Sequence, residues 1–194
     1  MCGGEEEEGD DFKRWRLSLS YRYQRSDRHF VGSDEQEQRK REDSEVRNLV
    51  HLADLSITYN IDARHSATLS IPYLDATRSS PIRDARRNVI DRSEVDTEGI
   101  GDIIFALRRW MWDPDEKPAG NVSVGLGAKF PTGNDDARDN QRQRGGTERR
   151  VTVDQSIQPG DGGFGFLVDV NAQLDLFEDV TGYLQATYLF NPRN

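Results

Sequence analysis

The residues best suited to acid–base chemistry near neutral pH are three histidines, His29, His51 and His65. A membrane-embedded lipid hydrolase would pair one of them with a serine and orient it with a third polar residue. His29 falls in a charged connection, His51 and His65 fall near strand ends, and no signature serine accompanies them. The chain therefore reads as no enzyme, with no catalytic residue assigned. Asp135, Asp136 and Asp139 offer hard oxygens, but the DDxxD spacing lacks the glycine and distal glutamate of a calcium loop, so it reads as a solvated acidic loop. Beside it, Arg138, Arg142, Arg144, Arg149 and Arg150 present cations to an anionic surface such as lipopolysaccharide. The glycine-rich GDGGFGF at 160–166 imitates a phosphate loop, yet no Lys-Ser/Thr and no helix follow, and it reads as a turn. The single cysteine, Cys2, excludes a disulfide framework and any multi-cysteine metal site. No cofactor and no metal are expected.

A second set of polar residues has a regular placement instead of a catalytic spacing. Arg22, Asp54, Asp102, Arg108, Lys129, Asp169, Asn171 and Asp175 each stand out of phase with an alternating apolar run. The clearest run is residues 121–133, where Val122, Val124, Leu126, Ala128 and Phe130 alternate with Ser123, Gly125, Gly127 and Lys129. Strict period-two alternation marks a strand with one apolar and one wet face. The same pattern recurs over residues 14–24, 50–60, 64–74, 100–112, 164–176 and 181–190. Pro72 lacks an amide donor and belongs near a strand end or at a bulge. Trp110 and Trp112 break the alternation of their strand, which predicts a bulge and an aromatic girdle just before the turn.

The connections alternate between long and short. Residues 25–48, 75–99 and 131–160 read as long polar loops, with a helical turn in DEQEQRKRED of the first. The intervening connections are tight. Long loops at one end and short turns at the other are the grammar of an outer-membrane barrel. The strands, about ten to thirteen residues, also suit a bilayer, which about 9–11 tilted residues cross. With 34% apolar and 31% charged residues, a conventional soluble core is thinly supplied, and a β-sandwich is the third-ranked architecture. A formal charge of −9 argues against a nucleic-acid binder. The expected fold class is all-β, an antiparallel up-and-down transmembrane β-barrel with three long polar loops at one end. Residues 1–13 read as a disordered acidic lead-in and 14–194 as the barrel domain. Seven visible strands, where single-chain bacterial barrels favour even numbers, predict either an incomplete larger barrel or an eighth strand within a segment read as loop. The eight out-of-phase polar residues are then lumen-facing candidates, since charges of both signs suit a hydrated interior and are costly against lipid.

Several short motifs sit where these strands begin and end. Ile71-Pro72-Tyr73, Gly99-Ile100-Gly101-Asp102-Ile103, VGLGAKFPTGN and Gln158-Pro159-Gly160 resemble the "PY", "GxGD", "GxKxPTG" and "QPGSG" motifs of the outer-membrane transporter family of the phenol-degradation meta-pathway type. The resemblance covers about residues 66–190, although the first two loops are more charged than is usual in that family. It implies passage of hydrophobic or aromatic small molecules across the bacterial outer membrane; the expected partners are outer-membrane lipid and a small hydrophobic solute, with lipopolysaccharide added by the arginines of the third loop. The competing expectation is a structural or adhesive barrel whose charged extracellular loops bind partners or lipopolysaccharide.

Overall fold

A computed structural model describes residues 14–117 and 119–192, so the lead-in expected over residues 1–13 lies outside the described residues. The elements in chain order are β1 (Trp15–Ser26), β2 (Phe30–Val31), β3 (Asp34–Glu35), α1 (Glu37–Arg41), β4 (Arg47–Asn60), β5 (His65–Arg83), β6 (Val89–Ile100) and β7 (Ile103–Trp110). After them come β8 (Gly120–Phe130), β9 (Arg138–Arg142), β10 (Glu148–Thr152), a 3-10 turn (Gln155–Ile157), β11 (Gly165–Phe177) and β12 (Val180–Phe190). The chain is all-β. Its main sheet is antiparallel and curls into a half-barrel in the order β1-β4-β5-β7-β8-β11-β12. Among the described residues no helix is long and apolar enough to cross a membrane.

Alternation in the sequence becomes a two-faced wall because antiparallel partners point to the same side. One row reads Trp15, Tyr59, Ala67, Leu107, Leu126, Val168 and Tyr188, each directly opposite the next. The row above it reads Leu17, Ile57, Leu69, Phe105, Ala128, Phe166 and Phe190. Between them runs a row of the opposite face, Arg16, Thr58, Thr68, Ala106, Gly127, Leu167 and Leu189. A slip of one residue at any strand would turn its apolar set to the wet side, so the pattern itself specifies register.

Residues 75–99 correct the expected second loop. They continue β5 and form β6, an extension paired from Tyr73↔Ile100 out to Arg83↔Val89. The segment alternates too weakly to be read as strand because it carries polar residues on both faces. β6 is not an eighth position across the wall: β6 and β7 lie end to end along the same edge of β5. The break between them is Gly101-Asp102, so the strand expected over residues 100–112 is interrupted near its start. Pro72 sits opposite that break. Its carbonyl accepts from the Gly101 amide at 2.8 Å, so its missing donor falls on the side where the ladder is already interrupted. The bulge expected at Trp110 and Trp112 does not occur. β7 ends at Trp110, which pairs with Ser123 on the polar face, and the two tryptophans do not share one outward girdle. The first long connection holds the β2–β3 hairpin and α1, within the stretch expected to make a helical turn. The third holds the β9–β10 hairpin and the 3-10 turn, neither expected from the sequence.

The buried apolar cluster lies at the long-connection end. It consists of Ala76, Val95, Ala137, Val153 and Ile157, with Val50 and Leu74 packed against it. Val50, Leu74 and Ala76 belong to the polar face of the wall, so the third connection turns inward over that face instead of standing away from it. Where it returns, Gly160 lies on Gly133: a Cβ on Gly133 would come within 2.6 Å of the Gly160 Cα. A Gly133→Ala substitution should lower stability by about 1–3 kcal/mol, because backbone and not a flexible side chain must yield. Urea unfolding of the variant checks this.

Candidate functional site

The strands deliver seven of the eight lumen-facing candidates to one face, and Asp102 reaches it from the break between β6 and β7. Arg22 lies in the row of Leu52 and Leu74, and Asp54 opposes Ser20 and Pro72. Arg108, Asp169, Asn171, Asp175 and Lys129 share the parity of Gly125, and Asp102 reaches the same side through its contact with Lys129. These residues do not form one cluster. Arg108, Asp169 and Asn171 meet, Lys129 and Asp102 meet, and Arg22, Asp54 and Asp175 stand apart. Asp54 accepts from the Ser56 hydroxyl at 2.9 Å and Asp175 from the Thr181 hydroxyl at 2.7 Å.

The first cluster depends on a glycine. Arg108 on β7 and Asp169 on β11 are separated by β8, whose residue between them is Gly125. With no side chain there, Arg108 Nη2 donates to Asp169 Oδ2 across the strand at 2.7 Å. Asn171 Nδ2 donates to the same oxygen at 2.6 Å, and Asp169 is only 4% exposed. A Cβ on Gly125 would lie 1.7 Å from Asp169 Oδ1. Beside this pair, Arg108 Nε and the hydroxyl of the fully buried Ser123 have no hydrogen-bond partner among the described residues.

The second cluster is centred on Lys129, which is 4% exposed. Its ammonium donates to Asp102 Oδ2 at 3.3 Å and to Asp161 Oδ1. Gly165, opposite Lys129 on β11, leaves the space its aliphatic stem occupies: a Cβ there would approach Lys129 Cε to 3.1 Å. Asp102 also accepts from the Gly133 amide at 3.0 Å and the Asp161 amide at 3.2 Å. Burial pushes the Asp161 carboxyl up, but the hydrogen bond from Lys129 and that from the Gly163 amide outweigh it and hold the group below its ordinary range.

Asp161 belongs to an inward-turning segment, residues 153–163, that sequence reasoning treated as loop. Its other end is fixed at Asp154, whose carboxylate accepts from the Ser156 hydroxyl at 2.6 Å and the Ser156 amide at 3.0 Å, capping the 3-10 turn. Arg78 pairs with Asp154 at 3.2 Å and donates to Ser156 Oγ at 3.1 Å, as does Asn48. The traces of this segment in the sequence are the Gln158-Pro159-Gly160 motif and the start of the glycine-rich turn at 160–166. Pro159 packs on Gly101, where a Cβ would meet its carbonyl oxygen at 2.9 Å.

The three histidines and the carboxylates of Asp136 and Asp139 have structural partners. His29 Nε2 accepts from the Val46 amide at 3.0 Å, His51 Nδ1 shares a hydrogen bond with the Tyr21 hydroxyl at 2.6 Å, and His65 Nδ1 lies 2.9 Å from both Asp62 oxygens. Asp136 accepts from Arg138 and Thr152, while Asp139 accepts from the Asp96 amide. Among the described residues no group of three or more His, Cys, Asp or Glu is placed to hold a metal.

Two outcomes are expected. Gly125→Ala should cost about 1–3 kcal/mol by displacing Asp169, and should become nearly neutral in an Asp169→Ala background; a double-mutant cycle in urea measures the difference. The Asp154 carboxyl is held below its usual range chiefly by the Ser156 hydroxyl and amide and then by Arg78. A depressed carboxyl stabilises the fold above the unfolded pKa of about 3.9, and that contribution is lost as pH falls through the folded value. Amide protection of residues 153–158, taken relative to the intrinsic exchange rate at each pH, should therefore be level from neutral pH down to about 5 and fall below about 4, and Asp154→Asn should abolish that step. Compared with known proteins, the chain matches no family model and no curated sequence.

Proposed function

We propose that this chain is the wall of a bacterial outer-membrane β-barrel through which small hydrophobic or aromatic molecules pass. The observation that carries the reading is the pair of uninterrupted apolar rows, which extend over every wall strand and are exposed at most positions, Leu126 to 63%, and half-buried at the rest, on β4 and β5 and at Ala128. Soluble monomers seldom expose contiguous apolar patches beyond a few hundred Å². Against hydrocarbon these two rows are at no disadvantage, and charges of the same face, such as Arg109 and Asp75, lie beyond them toward the two ends of the strands. The ladder satisfies the backbone of the inner strands, and spanning requires in addition that the outer edges of β1 and β12, unpaired among the described residues, be joined to further strands or to another copy.

The opposite face supports passage over a filled core. Over β4 and β5 its hydroxyls bond in pairs, Ser56 with Ser70 and Thr58 with Thr68, each at 2.9 Å. The resemblance of the motifs around Pro72, Asp102 and Lys129 to those of the phenol-degradation transporter type supports the solute class. In this arrangement the ends at residues 61–64, 111–119 and 178–179 are periplasmic. The long connections face outward, with the arginines of residues 138–150 toward lipopolysaccharide. A second reading, a structural or adhesive barrel with a closed interior, is favoured by the Arg108–Asp169 and Lys129–Asp102 pairs crossing the polar face.

Insertion into liposomes followed by swelling with neutral aromatic and with charged solutes separates the two: uptake of the aromatic solute is expected. Leu126→Arg should disfavour insertion by about 2–4 kcal/mol, whereas Gln185→Arg on the polar face should insert normally. A stable monomer purified without detergent would overturn the membrane reading, and an inserted protein without solute flux would favour the closed barrel.

A further inference from the structure

We propose that residues 158–163 are a hinged strap whose position sets the aperture of the passage, with Ile157 as the fixed end and Asp161 as the latch. The inference rests on the transport reading above.

The segment crosses the polar face near the long-connection end and touches most of the wall on the way. The segment is entered from residues 154–156, where Ser156 is held by Asn48 of β4 and Arg78 of β5 and Asp154 by Arg78. It then meets Gly101 and Asp102 at the β6–β7 break, Lys129 of β8, and finally Asn191 just past β12, whose Nδ2 donates to Asp161 Oδ2 at 2.8 Å. Any solute moving along the polar face at this level meets the strap.

The two ends are held by different forces. Ile157 is 0% exposed inside the apolar cluster, so releasing it would return a whole apolar side chain to water. The far end has no apolar anchor in that cluster. Asp161 is held by one cation, one side-chain amide and the Asp102 carboxylate behind its own amide. Between the ends, Gly160 rests on Gly133 with only backbone in contact, its amide donating to the Asn134 carbonyl at 3.3 Å. Gly162 at φ +75° and the adjacent Gly163 follow the latch, positions at which the chain turns without a side chain to obstruct it. Lys129 keeps Asp102 as a partner when Asp161 leaves, so release does not strand a buried cation. The strap is therefore seated by polar contacts at one end and hinged on an apolar plug at the other.

The test uses the full chain in liposomes in a Cys2→Ser background. Asp161→Cys with Asn191→Cys, joined by a thiol-cleavable bis-maleimide, holds the strap closed, and cleavage frees it. The expected result is at least a fivefold fall in aromatic-solute flux on tethering, restored by cleavage. Asp161→Asn, which keeps the shape and the Lys129–Asp102 pair, should raise flux at least twofold over the unaltered protein. Flux that is measurable but equal in tethered, cleaved and Asp161→Asn forms overturns the strap. No flux in any inserted form, the unaltered protein included, overturns instead the transport reading on which the strap rests.

Discussion

A buried ammonium is the constraint on which the upper part of this structure depends. Removing Lys129 from water costs several kcal/mol unless carboxylates surround it, and breaking such a pair leaves an uncompensated charge. Asp102 and Asp161 meet that requirement from two directions, one from the break between β6 and β7 and one from the inward-turning segment. Satisfying Lys129 thus ties together the register of β8, the interruption beside Pro72 and the course of the third connection. The glycines around it follow from the same demand. Gly165 makes room for the lysine stem, and Gly133 and Gly160 let two backbones approach where the connection crosses.

Lower in the wall the same logic recurs with a different geometry. Arg108 and Asp169 lie two strands apart, farther than directly opposed partners, and Gly125 removes the side chain that would separate them. Asp169 is almost wholly buried while Arg108 keeps over a third of its side chain exposed, so the pair is worth less than its short distance suggests. Its larger effect is on register. A slip of β8 by one residue would place Val124 or Leu126 between the partners and turn the glycine to the apolar face.

What the sequence made legible was whatever an apolar face enforces. All seven wall strands were readable because Leu17, Ile57, Leu69, Phe105, Leu126, Val168 and Tyr188 each recur in step with their neighbours, and the parity of Arg22 through Asp175 came with them. The β5–β6 extension was not readable: neither side of it adjoins a continuous apolar surface, so Thr77, Arg78, Ser79 and Ser80 carry no period. The inward segment was hidden for another reason. Ile157 is a single apolar residue in a polar stretch, and only the three-dimensional proximity of Ala76 and Val95 gives it a place to go. Trp110 misled because an aromatic near a strand end fits a girdle as well as it fits the polar-face position opposite Ser123 that it occupies.

The polar face itself has two halves. On β7, β8 and β11 it is ionic, with each buried charge answered by a side chain reaching over or beside a glycine. On β4 and β5 the charges Asp54 and Arg78 stand toward the long connections, and in the short-turn half the face is neutral, its hydroxyls bonding to one another across the strands and leaving the Thr58 and Thr68 methyl groups beside satisfied oxygens. A hydroxyl already paired with another demands little of a passing molecule, whereas an unpaired one would have to be satisfied by it. On the proposed transport reading, a neutral aromatic solute would incur the smallest desolvation penalty along β4 and β5, and the ionic half would act as a fixed wall and not as a binding surface. Lys129 lies on that ionic side, and Asp161 reaches across to it from an end anchored over β4 and β5 by Asn48 and Arg78. Charge and passage are thus coupled through one short segment, and its seat is the carboxylate that the buried lysine requires.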